Sequence, residues 1–178
     1  MKLLRTIRLD PSDTFVFARV AEPGEWAVPG TFAFAPMRVA GLEGKARTAF
    51  RSGFLGINSL GWSTLVAVVE ASDADRAAAA DLLARRLVER FGAPDPAVAR
   101  AAAEEEIAFA ASLTNHPEGT VIALARRLED GDIRETFRTL APGVATKPAR
   151  AFAIVEDADD EWPAEEIDLL NLAKRPRP

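Results

Sequence analysis

The sequence predicts an α+β fold, with a mainly antiparallel sheet and two central helices packed on it. Strand-like segments lie towards both ends of the chain and helix-like segments lie in its middle, an arrangement typical of this class. The pair Asp130-Gly131, between two β-type segments, is the strongest short hairpin signal. With 178 residues the chain has the size of one domain, and residues 1–178 are predicted to form a single one.

Apolar segments near the start of the chain predict the first strands, at residues 3–9, 14–20 and 31–35. The second of these is apolar on both faces, so we expect it to be central and covered on both sides. In the third, Phe32 and Phe34 are expected to point the same way, because alternate residues of a strand share a face.

A short helix is predicted over residues 43–51, ended by Gly53 in a left-handed conformation. Glycine and aromatic residues then predict a loop over residues 53–62. The β-branched residues that follow predict a strand over residues 64–69.

Two longer helices are predicted in the middle of the chain from their end signals. Ser72 followed by Asp75 resembles a capping box, and Gly92 is expected to end this first helix. Asp95 and Pro96 suit the cap and the first turn of the second helix. The many alanines of both helices favour close packing between them.

Placing Asp130-Gly131 at the turn sets the register of the hairpin. Leu128 then faces Ile133, and Arg126 faces Glu135 as a charge pair near the rim of a largely apolar face. Beyond the hairpin, a strand is predicted at residues 150–156, followed by an acidic loop at 156–161 and a short helix near 165–173.

The residue inventory excludes several chemistries. The chain has no cysteine, no tyrosine and one histidine, so thiol nucleophiles, disulfides and multi-histidine metal centres are excluded. No metal site and no cofactor are expected. The acidic loop departs from the EF-hand pattern, because Trp162 stands where the glycine of the sharp turn belongs, and a solvated turn is expected instead.

The formal net charge of -5 argues against a nucleic-acid partner and against adsorption to anionic lipid. No apolar segment approaches the length of a membrane span, and the first residues do not form a signal peptide. We therefore expect a cytoplasmic protein with no membrane partner.

A binding surface is predicted on and beside the glycine-rich loop. Glycines allow a close backbone approach, and aromatic and amide side chains are typical anchors of interfaces. The predicted surface consists of Trp26, Phe54, Asn58 and Trp62. The alternative is that the apolar residues of the loop fill the core.

A second candidate is an arginine-lined face of the hairpin, formed by Arg127, Arg134 and Arg138. Like charges opposite each other destabilise a strand pair, and an anionic ligand would compensate them. The alternative is that these arginines are solvated or paired with acidic residues. His116 is a weak candidate for a catalytic base, as the only imidazole of the chain.

Several segments resemble an uncharacterised family of small bacterial proteins without an assigned activity, most densely in the first 70 residues. The resemblance rests on RTIRLD (5–10), EPGEWAVPG (22–30), GKAR (44–47) and FRSGFLG (50–56). We associate this family with gene settings that include a biotin/lipoate-ligase-like protein and formate dehydrogenase maturation factors, which implies an accessory role.

The sequence thus favours a soluble, non-enzymatic accessory or binding protein with a protein partner, linked by the resemblance to the maturation of a redox enzyme. The alternative is a small-molecule binding protein or enzyme that holds an anionic ligand on the arginine-lined face. A homo-oligomer formed through an exposed strand edge is a third expectation.

Overall fold

The computed structural model describes residues 1–34, 39–142 and 152–154. Its strands are β1 (Lys2–Ile7), β2 (Trp26–Val28), β3 (Phe54–Gly56), β4 (Trp62–Ser63), β5 (Leu65–Glu70), β6 (Val121–Glu129), β7 (Asp132–Pro142) and β8 (Phe152–Ile154). Its α-helices are α1 (Ser12–Val16), α2 (Gly44–Ser52), α3 (Asp73–Phe91) and α4 (Pro96–Ser112). Two short 3₁₀ helices cover Thr31–Phe34 and Val39–Gly41.

The strands in the described ranges form one sheet in the order β4-β3-β2-β1-β5-β6-β7-β8. Each pairing between neighbouring strands is antiparallel. The predicted α+β class is therefore confirmed. The acidic loop and the short helix predicted beyond residue 156 lie outside the described residues.

The two central helices pack against each other and join the main apolar core with the strands. Five of their buried residues are alanines, which allow the helices to approach closely: Ala79, Ala80, Ala99, Ala103 and Ala110. In the described part of the chain, neither these helices nor the shorter ones combine the length and apolar character needed to cross a bilayer.

Both ends of α3 and the start of α4 are those predicted. The Ser72 hydroxyl accepts a hydrogen bond from the Asp75 N–H at 3.1 Å, and the Asp75 carboxylate accepts one from the Ser72 N–H at 2.9 Å. Gly92 ends α3 in the left-handed conformation, with φ of 73°. Asp95 caps α4, and Pro96 occupies its first turn.

The hairpin of β6 and β7 has the predicted register, with Leu128 opposite Ile133 and Arg126 opposite Glu135. Asp130 and Gly131 both have positive φ, at 51° and 87°, as a tight two-residue turn requires. The local turn chemistry is therefore sufficient to align two long strands.

The prediction of a strand over residues 14–20 is wrong, because residues 14–16 belong to α1. The Asp10 carboxylate accepts a hydrogen bond from the Ser12 N–H at 2.7 Å, and the Thr14 hydroxyl donates to the Pro11 carbonyl at 2.6 Å. These local bonds start a turn that competes with extended backbone. Phe15 is consequently exposed, and only Phe17 enters the core.

The strand predicted over residues 31–35 is also wrong, because Thr31–Phe34 is a 3₁₀ helix. Successive side chains of such a helix point about 120° apart, so Phe32 and Phe34 diverge. Phe32 packs edge-on against Phe91, with ring centroids 5.1 Å apart, whereas Phe34 stacks on Trp62 at 5.0 Å.

The left-handed conformation predicted for Gly53 is wrong, since its φ is -93°. Glycine is needed there for space, because a Cβ atom would lie 2.7 Å from the Ala49 carbonyl oxygen and 2.8 Å from the Trp62 ring. The predicted loop over residues 53–62 also contains β3 and the first residue of β4, and these two strands pair with each other.

Arg126 and Glu135 form a buried ion pair between β6 and β7, not the predicted pair near the rim of the face. Arg126 also connects these strands to the segments around β2, α2 and β3. The Arg126 side chain is fully buried, and its Nε donates to Glu135 Oε1 at 2.7 Å and to the Thr31 hydroxyl at 3.0 Å. Its terminal nitrogens donate to three main-chain carbonyl oxygens, those of Pro29, Phe50 and Gly53. One side chain therefore connects segments that are far apart in sequence.

Glu106 on α4 is the third charged group of this cluster, and it accepts a hydrogen bond from the Gly30 N–H at 2.9 Å. Burial raises the pKa of Glu106, and this hydrogen bond opposes the shift. Burial lowers the pKa of Arg126, and its hydrogen bond with Glu135 opposes that shift.

Replacing Arg126 by methionine is expected to lower the free energy of unfolding by about 3 kcal/mol or more, because Glu135 loses its buried counter-charge. Three main-chain carbonyls would also lose a donor. The matched control is Arg127→Met on the same strand, where the exposed side chain predicts a change of about 0.5 kcal/mol or less. Urea unfolding followed by circular dichroism measures both, and equal losses would contradict the role given to Arg126.

Glu106→Gln is expected to stabilise the protein at pH 7, because glutamine keeps an oxygen acceptor for the Gly30 N–H without a buried charge. The raised pKa means that the folded state binds this proton more tightly than the unfolded chain does. The stability gap between variant and wild type should therefore widen as the pH rises above 4.5, the ordinary value. Urea midpoints from pH 4 to pH 7 measure the gap. Exposed Glu105→Gln is the control, and a pH-independent gap for Glu106→Gln would refute the prediction.

Candidate functional site

A cavity of about 100 Å³ lies where the end of β1, the turn before α1 and the start of β5 meet. Its apolar lining consists of Ile7, Leu9 and Leu65. Its polar lining consists of Asp10, Ser12, Asp13 and Thr64. The cavity thus combines two carboxylates and two hydroxyls with an aliphatic wall.

Asp13 is the buried carboxylate of this cavity and is only 6% exposed. Its Oδ1 accepts the Thr64 hydroxyl at 2.5 Å, and its Oδ2 accepts the Thr64 N–H at 3.1 Å. The Ser63 hydroxyl lies 3.5 Å from Oδ2 and makes a shorter bond, 2.8 Å, to the Leu65 carbonyl. These neutral donors tie α1 to the start of β5.

Asp10 is the second carboxylate of the cavity and lies in the turn that leads into α1. Hydrogen bonds from Ser12 hold the pKa of the Asp10 carboxyl below its usual value. The side chain of Ser12 contributes most and its main chain contributes less. Asp10 is exposed, so this carboxylate meets the solvent while Asp13 lies deeper.

Exposed apolar side chains lie on α1 and in the segment before it, the same part of the chain that supplies several cavity residues. Leu9 is 59% exposed, and Phe15 and Val16 of α1 are 72% and 37% exposed. The short helix turns these two side chains outward because its buried positions are taken by Asp13 and, just beyond its end, Phe17. We call Leu9, Phe15 and Val16 the α1 patch.

The predicted surface of Trp26, Phe54, Asn58 and Trp62 is only partly accessible. Phe54 is fully buried, so its assignment as a surface anchor is corrected: its side chain belongs to the main core. Trp62 is half-buried, stacks on Phe34, and packs against the main core and against a smaller apolar cluster that contains Phe17, Phe34, Ala49 and Phe50. Trp26 is half-buried, and Asn58 is exposed.

The accessible part of that surface is held rigidly. The guanidinium of Arg5 lies over the Trp26 ring, 3.9 Å from its centroid. The buried Glu25 carboxylate accepts the N–H groups of Asn58 and Ser59 at 2.9 and 2.8 Å, and so fixes the turn between β3 and β4. Gly56 is required beside it, because a Cβ atom would lie 2.7 Å from this carboxylate.

The arginine-lined face is exposed at all three positions: Arg127, Arg134 and Arg138. Arg127 and Arg134 are opposite each other, as predicted, and each Nε lies within 4 Å of the Glu129 carboxylate, at 3.8 and 3.6 Å. Glu129 therefore offsets the like charges, an arrangement that favours solvated arginines over a bound anion.

His116 is half-buried in the turn after α4. In the described part of the chain its hydrogen bonds are made by main-chain groups, not by the imidazole. Its carbonyl accepts the Lys2 ammonium at 2.7 Å, and its N–H donates to the Thr114 carbonyl at 2.7 Å. Residues 1–34, 39–142 and 152–154 hold no group of three acidic, histidine or cysteine side chains placed to bind a metal ion.

Sequence reasoning missed the cavity because it assigned residues 14–20 to a strand and residues 10–13 to a turn alone. The available signal was the turn cluster itself, since Asp10 and Ser12 side chains often bond to nearby main chain and start helices. The pairing of Asp13 with Thr64 has no local signal, because 51 positions separate the two residues.

Comparison of the chain with curated proteins and with solved structures gave no match. Comparison with protein-family models confirms the resemblance to an uncharacterised family. The matching model covers residues 1–160, and the chain therefore belongs to a family of unknown function, DUF6505.

Proposed function

We propose that this protein is a non-enzymatic accessory protein that binds a protein partner. The observation that carries the proposal is the α1 patch, in which three large apolar side chains are exposed within eight consecutive residues. Exposed apolar groups that lie together mark interaction surfaces, and large aromatic side chains dominate the binding energy of such surfaces.

The structure supports this proposal over the anionic-ligand alternative for a physical reason. A tight anion site needs desolvated donors, whereas Arg127 and Arg134 are more than half exposed and already have Glu129 nearby. Phe15, by contrast, leaves most of its ring in water, which a partner would relieve by covering it.

The family resemblance supplies a candidate for the partner. The gene settings that we associate with the family point to the maturation of a redox enzyme, and an accessory protein in such a process binds its client rather than catalysing the redox step. Trp26 and Asn58 offer a second accessible surface for the same partner.

Phe15→Ser is expected to weaken partner binding at least about tenfold, because it removes a central aromatic anchor. A photoreactive amino acid at position 9 first identifies the partner by cross-linking in the native cell. The affinity of the purified pair is then measured by calorimetry for wild type and variant.

Val98→Ser is the matched control, since Val98 is another exposed apolar residue, on α4. It should leave the affinity unchanged, and both variants should keep the free energy of unfolding within about 0.5 kcal/mol. Undiminished affinity in Phe15→Ser, or a turnover reaction that persists without any partner, would contradict the proposed function.

A further inference from the structure

We propose that the cavity beside α1 receives the ammonium group of a lysine side chain presented by the partner protein. The inference rests on the proposed function and deepens it, because it names the chemical group that the partner inserts. Its basis is the unusual pairing of a buried carboxylate with an open cavity.

Asp13 is a buried carboxylate that has no cation beside it among the described residues. A buried carboxylate is normally compensated by a cation, and in the described part of the chain no basic group lies within ion-pair distance of Asp13. Its donors are a hydroxyl and an N–H of Thr64, with the Ser63 hydroxyl further away.

A comparison within the molecule shows what is particular about Asp13. Glu25 is similarly buried and, like Asp13, accepts three hydrogen bonds from neutral donors, but it does not line the cavity. Glu135 is compensated by Arg126. Asp13 instead borders an open space that also contains the Asp10 carboxylate.

The lining of the cavity selects the kind of cation. Ile7, Leu9 and Leu65 suit methylene groups, whereas Asp10 and Asp13 suit the ammonium group at their end. A volume of about 100 Å³ equals that of roughly three water molecules, which gives room for the ammonium end of a lysine side chain. In the described part of the chain, no third acidic, histidine or cysteine side chain joins Asp10 and Asp13 to form a metal-binding group.

The α1 patch indicates that a protein, rather than a free amine, carries the ammonium group. Leu9 belongs both to the patch and to the cavity wall, so a ligand that fills the cavity passes beside exposed apolar surface. Apolar residues on either side of the lysine would cover this surface and exclude water from the ion pair, which strengthens it.

The test is a nuclear magnetic resonance titration of the full chain, with the Thr64 amide as reporter because it donates to Asp13. The probes are acetyl-Leu-Lys-Leu-amide, its norleucine counterpart and n-butylammonium. We expect saturable shifts with the lysine peptide, weaker binding of n-butylammonium, and no saturable shift at Thr64 with the norleucine peptide.

The variants separate the two carboxylates from the patch. Asp13→Asn should weaken binding of the lysine peptide more than about tenfold, and exposed Asp10→Asn about threefold. Asp132→Asn, away from the cavity, should change nothing. Phe15→Ser should weaken peptide binding and leave n-butylammonium binding unchanged. Since Asp13 also tethers Thr64, the Asp10 variant provides the test if Asp13→Asn does not fold.

The proposal is overturned if the lysine and norleucine peptides bind equally, if neither binds, or if Asp10→Asn leaves the affinity for the lysine peptide unchanged. Equal binding of the peptide and n-butylammonium, unaffected by Phe15→Ser, would also overturn it in favour of a free amine. These failures are distinct from failure of the proposed function, because Phe15→Ser would still weaken binding of the purified partner if only the lysine assignment were wrong.

Discussion

The buried guanidinium of Arg126 is the interaction on which the rest of this fold depends. Its planar donors bind Glu135 and the Thr31 hydroxyl, and they reach the carbonyl oxygens of Pro29, Phe50 and Gly53. Two of these carbonyls lie at the C-terminal end of α2, where main-chain acceptors have no partner within the helix. A cation is also favoured there by the helix dipole.

This interaction makes the hairpin register a global constraint. A shift of one residue between β6 and β7 would turn Arg126 to the opposite face and bring Arg127 inside. The turn at Asp130-Gly131 prevents that shift with a purely local device, the positive φ of both residues. A short turn thus determines which arginine is buried and which is solvated.

At the N-terminal end of the molecule, a buried carboxylate is held by neutral donors and not by an ion pair. There Asp13 ties α1 to the start of β5 through Thr64, and the same tie turns Phe15 into the solvent. The aromatic residues of the predicted binding loop lose much of their accessibility to the core, whereas the proposed contact surface lies on a helix that was predicted to be a strand. The position of α1 therefore both buries Asp13 against Thr64 and exposes Phe15.

The sequence alone determined the features that arise from neighbours in the chain: the capping box at Ser72, the end of α3 at Gly92, and the alignment of β6 with β7. The capping partners lie within a few positions and the paired strands within about twenty, joined by a two-residue turn, so residue type and spacing are enough to specify them. The α+β class was predicted in another way, from the order of strand-like and helix-like segments along the chain.

The tertiary structure decided the burial of Arg126 and Phe54, the 3₁₀ helix at Thr31–Phe34 and the cavity beside Asp13. Arg126 and Pro29 are 97 positions apart, and Asp13 and Thr64 are 51 apart. Whether a charged or aromatic side chain is buried depends on groups that approach only after the chain has folded, and no local pattern encodes that approach.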